Sequence, residues 1–250
     1  MRPIYLPILW LGLWLLLATS GSGQEPGARD MWIKSRTSVA ESASKPRQKA
    51  PAAPAAPKKT ELTLGLGYTL FLKNEADDDL RANPKQTFRS GNQVRLLVES
   101  NRNGYLYIFH QENGGPPTML FPDWRVQAGD NRVRSHQPLW VPNRGVIAFD
   151  QHPAVERLVL VVTQDPISGL PIGEELKDRE KFPVPAALFQ QLSQPTPSRE
   201  DTQLREGAKL TEREGRGVTL QLDDPAPAFV LVNRNPQERR IVVSLELAHR

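Results

Sequence analysis

NRNGYLYIFHQENGG, residues 101–115, is the stretch on which the reading of the fold turns. Tyr105, Tyr107 and Phe109 alternate with Leu106 and Ile108, a period of two with both faces apolar, as expected of a strand covered on both sides. Asn103 and Gly104 precede it, and both residue types accept the positive φ of a tight turn. Upstream, Val94, Leu96 and Val98 alternate with Arg95 and Glu99, so the two segments are expected to fold back on each other as a hairpin. The same residues come close to the aromatic strand of RNA-recognition domains. That pattern needs a cation, Gly, an aromatic, a small residue, an aromatic, an aliphatic and, one position later, an aromatic. Asn103 stands in place of the cation, Leu106 in place of the small residue and His110 in place of the last aromatic. Nucleic acid is excluded as a partner on that ground, and the charge distribution below agrees.

Outward from this hairpin the period of two recurs. Leu62, Leu64, Leu66, Tyr68, Leu70 and Leu72 alternate with Thr63, Gly65, Gly67 and Thr69, which places one apolar row on a long strand. Val159 and Val161 on one side with Leu158, Leu160 and Val162 on the other leave no polar face, so this strand is expected in the middle of a sheet with both sides covered. Val218 to Leu222, Phe229 to Val232 and Ile241 to Leu247 predict three further strands. One helix is expected after Pro183, where Val184, Leu188 and Leu192 fall on one face and Pro185 sits in the first turn. The charged, Gly-containing segment from Ser193 to Gly217 reads as a mobile loop. About eight short strands with turn-rich connections predict an antiparallel β-sandwich over residues 61–250.

The beginning of the chain reads differently. MRPIYLPILWLGLWLLLATSGSG carries one Arg, an apolar run from Ile8 to Ala18 and then small residues, the pattern of a secretory signal peptide over residues 1–22. The apolar run is short of the roughly 20 residues that span a bilayer. Residues 23–60, rich in Ala, Pro and Lys, predict a disordered linker. Of the chain's net charge of +4, one positive charge lies in the leader and a net five in residues 21–60, which leaves the last 190 residues at −2. Basicity therefore belongs to the linker, which is suited to weak contact with an anionic envelope surface. The folded part offers no broad phosphate-binding face. There is no Cys, so neither disulfides nor thiolate metal sites are available.

The order of motifs within residues 85–166 resembles domain of unknown function family 4384, a module attached to bacterial signalling and envelope proteins. The resemblance rests on Ser90-Gly91 opening a strand with Val94-Arg95, then Gly104-Tyr105-Leu106-Tyr107, the step Leu120-Phe121-Pro122, and Glu156-Arg157 entering an apolar strand. It implies a bacterial origin and a β-rich module, and it implies no activity.

Chemistry is sparse along the chain. Nucleophilic catalysis needs a Ser or Cys beside a base and an orienting acid, and no Gly-x-Ser-x-Gly elbow is present. His110, His136, His152 and His249 are far apart and lack helical metal-ligand spacing. Asp150 and His152 read as a surface pair, and Glu75 to Asp79 as a charged turn without the spaced ligands of a calcium loop. No catalytic residue, metal or cofactor is assigned. The binding candidates are Trp124, flanked by Asp123 and Arg125, and Trp140, each beside a Pro. Trp124 is expected at an exposed rim, where aromatics grip a partner, and Trp140 in the core. The expectation is a non-catalytic accessory module of the bacterial envelope, exported to the periplasm or secreted, that binds another envelope protein. A carbohydrate or cell-wall binding module is the alternative, and an unrecognised hydrolase a third.

Overall fold

The structure, a computed structural model, describes residues 27–44, 63–179, 181–197, 199–203 and 227–250. In chain order its elements are helix α1 (Ala28–Ser44), then strands β1 (Gly65–Lys73), β2 (Asp79–Ala82), β3 (Gln93–Ser100), β4 (Gly104–Glu112), β5 (Thr118–Phe121) and β6 (Arg132–Val133). There follow β7 (Leu139–Val141), β8 (Ile147–Ala148), β9 (Ala154–Thr163), β10 (Phe182–Pro183), helix α2 (Ala186–Leu192), β11 (Arg199–Gln203), β12 (Phe229–Asn233) and β13 (Arg240–His249). Two sheets form. One runs β11-β12-β1-β3-β7, with β2 beside β1 and β8 beside β3; the other runs β10-β5-β4-β9-β13, with β6 beside β4. The mostly β, antiparallel architecture is the expected one. The thirteen strands among the described residues exceed the eight because six of them have only two to four residues, too short to imprint a period on the sequence.

The two sheets face each other across one apolar core. Leu64, Leu66, Leu70, Leu96 and Val98 from the first meet Leu106, Ile108, Leu158, Leu160, Val243 and Leu245 from the second. The alternation read along β1 is thus the inward row of a sandwich. β9 lies between β4 and β13, and its second apolar face, Val159 and Val161, is covered together with Tyr107 and Phe109 by Leu170, Leu176, Val184, Phe189 and Leu192. Phe189 of α2 meets the Phe109 ring edge-on with centroids 6.2 Å apart. Both-sided burial explains why these strands lack a polar face.

Three expectations change. β3 and β4 are not a hairpin, since β3 pairs with β1, β7 and β8 and β4 with β5, β6 and β9; residues 101–103 carry the chain from one sheet to the other. Asn101 fixes the crossing by accepting from Gly65 N–H at 2.6 Å and donating to the Thr63 carbonyl at 2.9 Å. Gly104 is needed for close approach, because a Cβ there would lie 2.3 Å from the Thr163 carbonyl oxygen. Second, part of the 23–60 segment expected to be a disordered linker is α1, with Trp32 1% exposed against Val230 and Val232. Its seat is made by the glycines that alternate with the apolar row of β1. A Cβ at Gly67 would come within 2.9 Å of the Trp32 ring, and one at Gly65 within 3.2 Å. Third, within the segment expected to be a mobile loop, Arg199–Gln203 pairs with β12. The signal peptide, residues 45–60, most of that loop and the strand expected over Val218 to Leu222 lie outside the described residues.

Candidate functional site

The segment leaving β5 and the connection from β7 to β8 enclose a cleft of about 700 Å³. Met119, Leu120, Val126, Val141 and Ile147 give it apolar walls, and Asp123, Arg125, Arg144 and Lys181 stand around it. Asp123 and Arg125 form one unit. The Asp123 carboxylate accepts from the Arg125 backbone N–H at 2.7 Å and from its Nε at 2.9 Å. Partial burial pushes the Asp123 carboxyl up, and the hydrogen bonds and charge of Arg125 overcome this and hold it below the ordinary carboxylate value. Arg144 and Lys181 are exposed and form no ion pair among the described residues.

At the inner end of the cleft, Glu156 of β9 is hydrogen-bonded by Nε2 of His110 from β4 and by Nε2 of His249 from β13, the latter at 3.1 Å. Register makes this possible, since β9 lies between those two strands and pairs with both. His249 is buried and stacks on Phe149 at 4.9 Å. With two imidazoles donating to it, the carboxylate is satisfied. Among the described residues no group of three or more His, Cys, Asp or Glu is placed to hold a metal ion. The exposed acids Glu112 and Asp150 also line the cleft, so the site offers an apolar surface with charges of both signs around it.

A second polar cluster has the composition of a catalytic triad and the wiring of a clasp. Ser35 Oγ lies 3.0 Å from His136 Nε2, and His136 Nδ1 lies 2.7 Å from Glu99 Oε1. In a triad the serine is open to substrate and donates to the imidazole. Ser35 instead is fully buried and directs its proton to the Trp32 carbonyl at 2.7 Å. Arg36 clamps the same Glu99 through Nε at 3.0 Å and Nη2 at 2.8 Å. His136 holds φ of 56°, a strained backbone that persists where the surroundings over-determine it. The cluster therefore fastens α1 to the sheet.

The four residues singled out from sequence are not one site. Asp123 and Arg125 line the cleft. Trp124 points elsewhere: it is half-buried against the second core, with the Lys177 ammonium 6.0 Å from its ring centroid. Trp140 lies not in the inter-sheet core but half-buried on the outer face of the first sheet, its ring 5.0 Å from that of Phe71 and capped by Arg95 at 4.4 Å. The reason is register: Trp140 sits opposite Leu97, whose neighbours Leu96 and Val98 face inward. His110, Glu156, Arg144 and Lys181 went unnoticed as site residues because no local spacing relates them; Glu156 and His249 alone are 93 residues apart.

No curated protein and no solved structure matches the chain. The sequence resemblance does hold: residues 87–166, which build both walls of the cleft and leave only Lys181 and Leu247 to be supplied from beyond, match the model of the family described as Domain of unknown function (DUF4384).

Proposed function

We propose that this chain is an exported, non-catalytic module of the bacterial cell envelope that binds another envelope protein through the 700 Å³ cleft. The supporting observation is the pairing of apolar walls with Arg144 and Lys181, two exposed cations without an ion partner among the described residues. Apolar pockets with a few fixed polar groups are the usual form of a binding site, and charges around the mouth set register and on-rate more than affinity. The ligand that fits is an extended segment of the partner presenting an apolar side chain beside Asp or Glu.

A photo-crosslinking residue in place of Asn143, which lines the cleft, tests this in the bacterium that encodes the chain. A discrete protein adduct is expected, and it should disappear in an R144E/K181E background. Absence of any protein adduct, or an adduct indifferent to the charge reversal, removes the reading.

A further inference from the structure

A second pocket, of about 610 Å³, opens where β4 begins beside β6, and every residue lining it falls between Asn103 and Gln164, inside the segment that matches the family. Its character is opposite to that of the cleft. Tyr105, half-buried and packed in part against the second core, is its aromatic residue, and Gln127, Gln137, Gln164 and Arg134 bring side-chain donors and acceptors with no hydrogen-bond or ion partner among the described residues. The one fixed ionic element is Asp130, whose carboxylate takes Nε of Arg132 at 2.9 and 3.0 Å and Nη2 at 2.6 Å. Cation and anion cancel within that pair, and Arg134 adds one further positive charge to the lining.

Its walls are set in place before any ligand arrives. Gly104 packs against the Thr163 carbonyl so closely that no Cβ fits, which fixes the strand end bearing Tyr105. Opposite, Gln127, Ala128 and Gly129 hold φ of 53°, 52° and 74°. Two of these are residues with a Cβ in the left-handed region, a conformation retained where packing enforces it and found disproportionately at binding sites. The enforcement is visible: a Cβ at Gly129 would lie 2.8 Å from the Gly173 carbonyl oxygen, so the turn is wedged against Gly173, which constrains the backbone that carries Gln127.

Amides supply a donor and an acceptor each, the arrangement that matches vicinal hydroxyls, and a tyrosine ring offers a flat apolar face with a polar end. We infer that this pocket binds one pyranose unit of a glycan, with the ring face on Tyr105 and its hydroxyls on Gln127, Gln137 and Gln164. The Asp130–Arg132 pair adds a further acceptor and donor at the edge of the sugar. The site is separate from the cleft and from both tryptophans: neither Trp124 nor Trp140 lines it.

The test is titration of the full mature chain with three probes, N-acetylglucosamine tetramer, cellotetraose and laminaritetraose, followed by chemical-shift mapping. Saturable binding of at least one probe is expected, weakened tenfold or more by Tyr105→Ala and by the double surface change Gln137→Ala/Gln164→Ala, and unchanged in Trp124→Ala and in R144E/K181E. Pelleting with insoluble cell-wall sacculi separates recognition of an intact wall from that of free oligosaccharide. The Gln137/Gln164 variant guards against a folding defect in the tyrosine variant, with the melting temperature read for each. No saturable binding of any probe or of sacculi, or binding that survives both pocket variants, overturns the inference. Binding lost only in R144E/K181E also overturns it, by moving the sugar to the cleft.

Discussion

Asp123 shows how one residue sets a wall of the cleft. Burial alone raises its carboxyl, and the Arg125 guanidinium and backbone N–H bring it below the ordinary value of 3.8. A carboxyl depressed in the folded state contributes its stabilisation in full above the unfolded value and loses it as pH falls through the folded value. Because Arg125 is 72% exposed, the pair adds little to global stability; its consequence is local order of the segment beside β5. Titration of the Asp123 carboxyl by NMR should give a midpoint below 3.8. Arg125→Ala should raise that midpoint, since burial is then opposed only by the backbone N–H of residue 125, with little change in melting temperature. The sequence offered Asp123 and Arg125 only as binding candidates flanking Trp124; that they pair with each other came from the structure. That Trp124 turns into the second core while its neighbours face the cleft was not legible.

At the scale of the element, α1 shows docking through a few contacts. Its sequence has little apolar period, and one ring, Trp32, fills a hollow lined by two glycines. The Arg36–Glu99 pair beside it is buried, with 9% and 2% of the side chains exposed. Removing one partner of such a pair leaves an uncompensated charge and costs about 3–5 kcal/mol. Arg36→Ala should therefore release the helix. The amides from Met31 to Arg36 should lose hydrogen-exchange protection by roughly a hundredfold or more, given that about 1.4 kcal/mol is a factor of ten. Lys34→Ala, at an exposed position of the same helix, should leave protection intact. Retained protection in Arg36→Ala would show that Trp32 alone seats the helix. The reading of residues 23–60 as a linker followed from their composition; the complementary half of the contact, Gly65, Gly67, Glu99 and His136, belongs to other parts of the chain.

For the whole molecule, stability rests on the layer between the sheets. Leu160 is fully buried there in β9, an interior strand of its sheet. Leu160→Ala should cost roughly 2–5 kcal/mol as lost transfer free energy plus a cavity. At about 2–4 °C per kcal/mol for a chain of this size, calorimetry should show a drop on the order of 10 °C. A much smaller drop would mean that the two sheets do not unfold together. The sequence by itself determined that the chain folds into strands, which rows face a core, that β9 is covered on both sides, and that the middle third of the chain resembles the family whose model matches residues 87–166. Alternation of apolar residues is a local record of burial, so it can be read without knowing what does the burying. Only the tertiary structure decided which strands pair, that residues 101–103 cross between sheets instead of turning a hairpin, and that a tryptophan helix fills the glycine hollow of β1. It also decided that a cleft and a polar pocket open at separate places. These features join residues tens of positions apart, and their pairing is fixed by packing between segments, for which a one-dimensional pattern carries no term.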